Sequence, residues 1–492
     1  MARANTLIKR QVRGFVLTWM ILTFIITGLT FFGIYLTYTP TQPDPTDLRG
    51  SAAFPTVTPP QAVAQVTVPP TIAPTSTPTL PVVPTNTPQP TVAPTETVDA
   101  AALAAAAQPT ATPVPPTAVP TIVPLNETRF ELGIQVQPDN GANAQYQDDW
   151  MLMVQNDLSM DWVKLQIRWE YTEPERGVYD WAIVDNAMRS AQKYNLKVLA
   201  AIVAAPDWAR HTGFIPELNG PPQDTQDFVN FVATLLNRYP GQIQALQVWN
   251  EPNIDREWDA PNGLSAQEYT EFLRRTYQGV KAVDPNVMVV SGPLSTTGGG
   301  TNPQTGIPFA IDNFAYFDAM IEAGLLEYTD CVGAHHNGYN LAPSIRWDAV
   351  PDDPTATFRG PFDNPHHSWS FRSTMEYYAN RIGLAGGDQQ LCVTEFGWAS
   401  GEDLAGVPAG WDYARDNTLA EQAQWLIEAS QLMAESGYVR LAFVWNLNYG
   451  PGAGWSAEND NVPYTLIGPD WNRRPAFWAL QEWNRRFKGL IQ

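Results

Sequence analysis

From Leu125 to the C-terminus, short apolar runs alternate with longer amphipathic stretches, and this alternation constrains the fold more than any other feature of the chain. The runs are Glu131–Gln137, Trp162–Trp169, Lys197–Ala205, Ile243–Asn250, Val287–Pro293, Cys331–His336, Leu391–Phe396 and Val439–Trp445. The amphipathic stretches include Trp181–Tyr194, Thr225–Arg238, Ser265–Val283, Phe314–Leu326, Arg372–Ile382, Thr418–Glu435 and Pro475–Phe487. Strand followed by helix, repeated, predicts a parallel sheet. Eight such units in roughly 360 residues predict a (β/α)8 barrel with enlarged loops. A doubly wound open sheet would carry a glycine-rich turn after its first strand, and Gly133-Ile134-Gln135-Val136-Gln137 offers none.

Side-chain parity supports closure. Successive side chains on a strand point to opposite faces. Val163, Leu165 and Ile167 therefore share one face, and Lys164, Gln166 and Arg168 the other. Gln135 and Gln137 likewise share a face, as do Gln247 and Glu251. A polar inner face that leads to a charged strand end suits a barrel with a site at its mouth.

The residues before the barrel have a different texture. Arg3, Lys9, Arg10 and Arg13 precede an uncharged run, and Phe15–Tyr38 spans 24 residues. As a helix that run would reach roughly 36 Å, enough for a hydrocarbon core of about 30 Å. It is longer than a signal peptide requires. The expectation for residues 1–39 is a cytoplasmic tail and one transmembrane anchor, with the positive flank inside and everything downstream extracellular. Residues 40–124 hold 21 of the 44 prolines, interleaved with Thr, Val and Ala, and read as a disordered Pro/Thr-rich linker. Residues 125–492 form the barrel domain.

Composition narrows the partners. Lys and Arg total 29 against 50 Asp and Glu, a formal charge of −21, so no basic field exists to attract phosphates and no nucleic-acid partner is expected. The two cysteines, Cys331 and Cys392, begin neighbouring strands. A bridge is permitted outside the cell, but adjacent parallel strands rarely meet disulfide geometry, and two buried thiols are at least as good a reading.

Two strand ends finish on glutamate: Trp249-Asn250-Glu251-Pro252 on the fourth and Thr394-Glu395-Phe396-Gly397 on the seventh. In a closed barrel both project into one mouth. A lone glutamate there often only caps a helix or pairs with a base. Two facing carboxylates are what glycoside hydrolysis needs, one donating a proton to the leaving oxygen and one attacking the sugar carbon or activating water.

These two motifs resemble the strand-four and strand-seven signatures of clan A retaining glycoside hydrolases, a group that includes cellulases, β-xylosidases, β-galactosidases and α-L-iduronidases. The resemblance covers roughly residues 130–490. It implies Glu251 as general acid/base, Glu395 as nucleophile, and Asn250 as a contact to the sugar 2-hydroxyl. It also implies that Arg168 keeps the nucleophile ionised, as a nearby cation does. Strand six ends Ala334-His335-His336-Asn337-Gly338-Tyr339. The clan often has His-x-Tyr here, its tyrosine donating to the nucleophile. This chain has Asn337 two residues after His335, so either Tyr339 or Asn337 fills that role. Trp445 ends strand eight, where the clan places a platform for the sugar, and Trp398 follows the strand-seven glutamate. Trp169, Trp208, Trp258, Trp411 and Trp455 also lie near strand ends, where a flat indole can cover a sugar face.

Adjacent histidines point to opposite faces of a strand, so His335 and His336 do not form a metal pair, and neither metal nor cofactor is expected. The functional expectation is a membrane-anchored retaining glycosidase acting on oligo- or polysaccharide. The rivals are a carbohydrate-binding pseudoenzyme and a transglycosylase that remodels surface glycans.

Overall fold

The structure is a computed structural model that describes residues 130–138, 144–353, 356 and 366–492. The expected anchor and linker lie outside the described residues. No helix of the described residues is long and apolar enough to cross a membrane.

Eight parallel strands form one sheet. They are β1 (Glu131–Gln135), β2 (Trp162–Arg168), β3 (Lys197–Val203), β4 (Ala245–Val248), β5 (Met288–Ser291), β6 (Val332–Gly338), β7 (Leu391–Trp398) and β8 (Val439–Val444). Each pairs with its neighbours in order, and β1 pairs with β8. A parallel bridge between Val290 and Cys331 joins β5 to β6 and closes the barrel. All eight strands stand where the apolar runs predicted them, most trimmed at their ends, while β6 and β7 each run two residues further.

One main helix follows each strand. They are α1 (Ala144–Leu152), α2 (Ala182–Lys193), α3 (Thr225–Arg238), α4 (Ala266–Val283), α5 (Asn313–Glu322), α6 (Phe371–Leu384), α7 (Leu419–Ser436) and α8 (Pro475–Phe487). Their starts follow local chemistry. Asp224, Ser265, Asp312 and Ser370 each accept a backbone N–H of the first turn, and Thr418 with Glu421 forms a reciprocal capping box. α1 has weak apolar periodicity and is not among the amphipathic stretches legible in the sequence. Trp478 of α8 faces outward and is 46% exposed.

Two apolar shells hold the barrel. The outer faces of the strands pack against the helices through Val163, Leu165, Ile167, Leu246, Val248 and their neighbours. The inner faces form a second cluster that includes Trp162, Leu199, Met288, Val290, Leu441 and Phe443. Gly133 belongs to this crowded interior, because a Cβ there would lie 2.7 Å from both the Phe443 ring and Trp162 Cβ.

Cys331 and Cys392 sit in this inner cluster and are joined by a disulfide, with Cα atoms 5.7 Å apart. Of the two alternatives the sequence left open, the structure has the bridge. Gly333, not Cys331, is the registered partner of Cys392, so the two cysteines meet diagonally on one face within the usual Cα range.

Candidate active site

The strand ends β1 to β8 open into a cleft of about 1170 Å³. Glu251 and Glu395 both line it, and each residue is 5% exposed.

The two glutamates arrive by different backbone devices. Beyond the end of β4 the chain leaves the extended conformation. Trp249 has φ 72° and Glu251 φ 40°, the left-handed region that costs a non-glycine residue of order 1–3 kcal/mol. Glu251 is held there by its own N–H, which donates to Pro293 O at 3.0 Å. Trp249, fully buried, donates its indole N–H to Glu257 O at 2.8 Å.

On β7 the device is a bulge. Cys392 faces the barrel interior and Val393 the helices. Strict alternation from there would turn Glu395 outward with Val393. The pairing with β6 instead steps from Ala334↔Val393 to His335↔Glu395, leaving Thr394 as an extra residue. The extra residue resets parity and aims Glu395 into the cleft, while Phe396 resumes the outer face.

Lys164 is the cation beside Glu395. Its Nζ donates to Glu395 Oε1 at 2.7 Å, with no exposure of the lysine side chain. Burial pulls the ammonium below its ordinary range, opposed by the charge and hydrogen bond of Glu395. Arg168 does not take that place, which corrects the expectation. It donates from Nε to Glu170 Oε1 at 2.7 Å and from Nη2 to Asn219 Oδ1 at 3.0 Å, one-third exposed on the cleft wall. Parity explains the exchange: both side chains face inward, but Lys164 stands deeper in β2, where it can reach across the interior.

His335 stands between the two carboxylates. Its Nδ1 is 3.1 Å from Glu251 Oε1 and 3.6 Å from Glu395 Oε2. Those two oxygens are therefore no more than roughly 7 Å apart. That ceiling accommodates the ~5–5.5 Å carboxyl separation of retaining enzymes. Burial pushes the Glu251 carboxyl up, but the hydrogen bond and charge of His335, with Arg256 and Lys164, outweigh it and hold the group below its ordinary value. His336 faces the other way, as parity requires, and its ring meets Phe371 edge-on. Burial depresses its pKa to about 3.

Of the two groups considered for the strand-six role, Asn337 reaches the nucleophile position, with Nδ2 3.4 Å from Glu395 Oε2. Tyr339 lines the cleft but donates to Thr296 O at 3.3 Å. Asn250 and Trp445 also line the cleft. Trp398 does not: it is 1% exposed, packs on Phe371 and Trp425, and donates its indole N–H to Leu341 O at 3.0 Å. Its assignment to sugar contact is thereby corrected, because on β7 it stands on the helix side with its polar atom already used. Among the other loop tryptophans only Trp411 lines the cleft. Trp169 and Trp258 are buried in the outer shell.

The loop after β4 brings two residues that sequence reasoning did not assign. Arg256 Nη2 lies 3.6 Å from Glu251 Oε2, and Glu257 accepts from Asn219 Nδ2 at 3.1 Å. Burial, reinforced by the Glu251 charge, raises the Glu257 carboxyl to about 7. Only their place just after the Asn-Glu-Pro motif could have flagged them.

Comparison with known proteins agrees with this architecture. The family model described as beta-galactosidase, glycoside hydrolase family 42, matches residues 135–218, from the end of β1 through the loop after β3. A family 39 glycoside hydrolase from the gut symbiont Bacteroides cellulosilyticus WH2 superposes with TM-score 0.50 at 19% identity. The match covers 74% of this chain and 65% of that one, so this chain spans just under two thirds of its length. GH5_18 from Streptomyces cattleya, solved with GlcNAc, matches with TM-score 0.48 and 15% identity over 74% of this chain and 82% of that one. Xylanase 10B from Thermotoga petrophila RKU-1, solved with xylobiose, matches with TM-score 0.46 and 14% identity over 73% and 95%. The sequence match and the barrel agree with the clan A resemblance read from the two glutamate motifs, a clan of retaining O-glycosyl hydrolases.

Proposed function

We propose, on the premise that this barrel belongs to clan A of the glycoside hydrolases, that the chain hydrolyses β-linked glycosides with net retention. The observation that carries the proposal is the pair Glu251 and Glu395 in one cleft, linked through His335, with Lys164 on the second carboxylate.

In the first step a Glu395 oxygen attacks the anomeric carbon. Oε1 is committed to Lys164, so Oε2, with its longer contact to Asn337, is the attacking atom. The departing oxygen takes a proton from the Glu251 side. Glu251 Oε1 lies 3.1 Å from His335 Nδ1, and that contact helps hold its carboxyl below the ordinary value. In the second step Glu251 takes a proton from water, which displaces Glu395 and restores the starting state. Trp445 and Trp411 supply flat apolar faces in a cleft large enough for an oligosaccharide.

Variant kinetics test the two roles. Glu395→Ala should abolish the first step on every substrate. Glu251→Ala should lose least on an aryl glycoside whose leaving group needs no proton, and azide should then give a glycosyl azide of retained configuration. If Glu395→Ala gave that product instead, the roles are reversed. If both variants matched wild type, the chemistry is elsewhere.

The N-terminal segment is proposed to anchor the barrel outside the cell. The basic cluster before Phe15–Tyr38 supports this orientation, and the Cys331–Cys392 bridge suits an oxidising compartment.

A further inference from the structure

We propose, resting on the glycosidase reading above, that the cleft takes uncharged saccharides and turns away uronic acids, because the cations around it already face carboxylates of the chain itself.

Among the described residues two arginines line the cleft. Arg168 is bound to Glu170, with Nη2 2.5 Å and Nε 2.7 Å from Oε1. Arg256 stands among three carboxylates. Its Nη1 is 3.4 Å from Asp460 Oδ2, its Nη2 3.6 Å from Glu251 Oε2 and its Nε 4.0 Å from Glu257 Oε1. The contact with Asp460 is a product of the fold, since it joins the loop after β8 to the loop after β4. Deeper in the barrel, Lys164 is fully buried and holds Glu395 at 2.7 Å. His335 stands between Glu251 and Glu395. Besides those two glutamates, Asp180, Glu217, Asp255, Glu257 and Asp460 line the cleft, so carboxyls outnumber cations there.

A uronate entering this cleft meets two penalties. Its carboxylate leaves water with no uncommitted cation to receive it. It also stands in a field of its own sign, which the low-dielectric walls of a cleft focus. The same two effects act on the chain's own side chains: burial first, and then the Glu251 charge, raise the Glu257 carboxyl to about 7. A neutral sugar escapes both. Its hydroxyls donate to carboxylates as they do to water, and its C–H faces can lie on Trp445 and Trp411.

The test uses the full-length protein and matched pairs of nitrophenyl β-glycosides that differ only at C6: glucoside and glucuronide, galactoside and galacturonide, mannoside and mannuronide. In the series the enzyme accepts, the neutral member should have kcat/KM at least about 100-fold above its uronide. Asp460→Asn bares one side of Arg256 and should narrow that ratio by about tenfold. Asp460→Glu, which keeps the charge, should leave the ratio near the wild-type value. A uronide cleaved as well as its neutral partner, or a ratio unmoved in Asp460→Asn, overturns the proposal. If no series is cleaved, the hydrolase reading fails and calorimetric Kd values for the same pairs decide the selection separately. Tighter binding of the neutral members then supports it, and equal, reversed or absent binding overturns it.

Discussion

Lys164 and Arg168 share the inward face of β2, but the structure gives them different work, and that difference can be measured. Lys164 is fully buried against a carboxylate with 6% side-chain exposure. Removing one partner of such a pair leaves an uncompensated buried charge, which costs about 3–5 kcal/mol. Lys164→Met should therefore destabilise the barrel by that amount in urea titrations. Arg168→Met breaks a partly exposed pair and should cost under about 1 kcal/mol. Equal effects would return Arg168 to the role the resemblance implied. Glu257 makes a second case. Its carboxyl titrates near 4.5 when unfolded and near 7 when folded, raised by burial and by Glu251. Between those values the folded chain binds the extra proton, so stability falls as pH rises through the window. Glu257→Gln has no proton to lose. Relative to wild type it should gain up to about 3 kcal/mol between pH 5 and pH 8. A pH-independent difference would show that Glu257 titrates normally.

At the scale of elements, the seam between β5 and β6 is where the barrel closes with the least pairing, a single bridge at Val290–Cys331. The disulfide fastens Cys331, which makes that bridge, to β7 across 61 residues, on the other side of β6 from the seam. Closing a loop of that length removes unfolded-state entropy worth about 4 kcal/mol. Reducing the bridge should thus lower unfolding stability by about 2–5 kcal/mol without changing the far-ultraviolet spectrum at rest. No change on verified reduction would mean that the barrel holds without it. Gly333 marks how tight the seam is, because a Cβ there would lie 2.0 Å from Ser291 O. The β7 bulge belongs to the same scale. It turns Glu395 inward and brings it opposite His335, so an element irregularity, not the residue alone, completes the site.

For the whole molecule, the proposed topology predicts that protease added to intact cells cuts the proline-rich segment and releases an active barrel into the medium. Recovery of the barrel only after lysis would place it inside and remove the support for the anchor. The sequence by itself determined the (β/α)8 order, because each strand is a local apolar run and each helix a local period, and neither needs distant partners to be read. It also determined the two glutamates, since each closes a strand whose position in the count is local information. The tertiary structure alone decided which cation faces Glu395, which strand-six side chain reaches it, and that Trp398 turns away from the cleft. Those outcomes depend on how far a side chain reaches across the interior and on one extra residue in β7, and neither is written in a spacing.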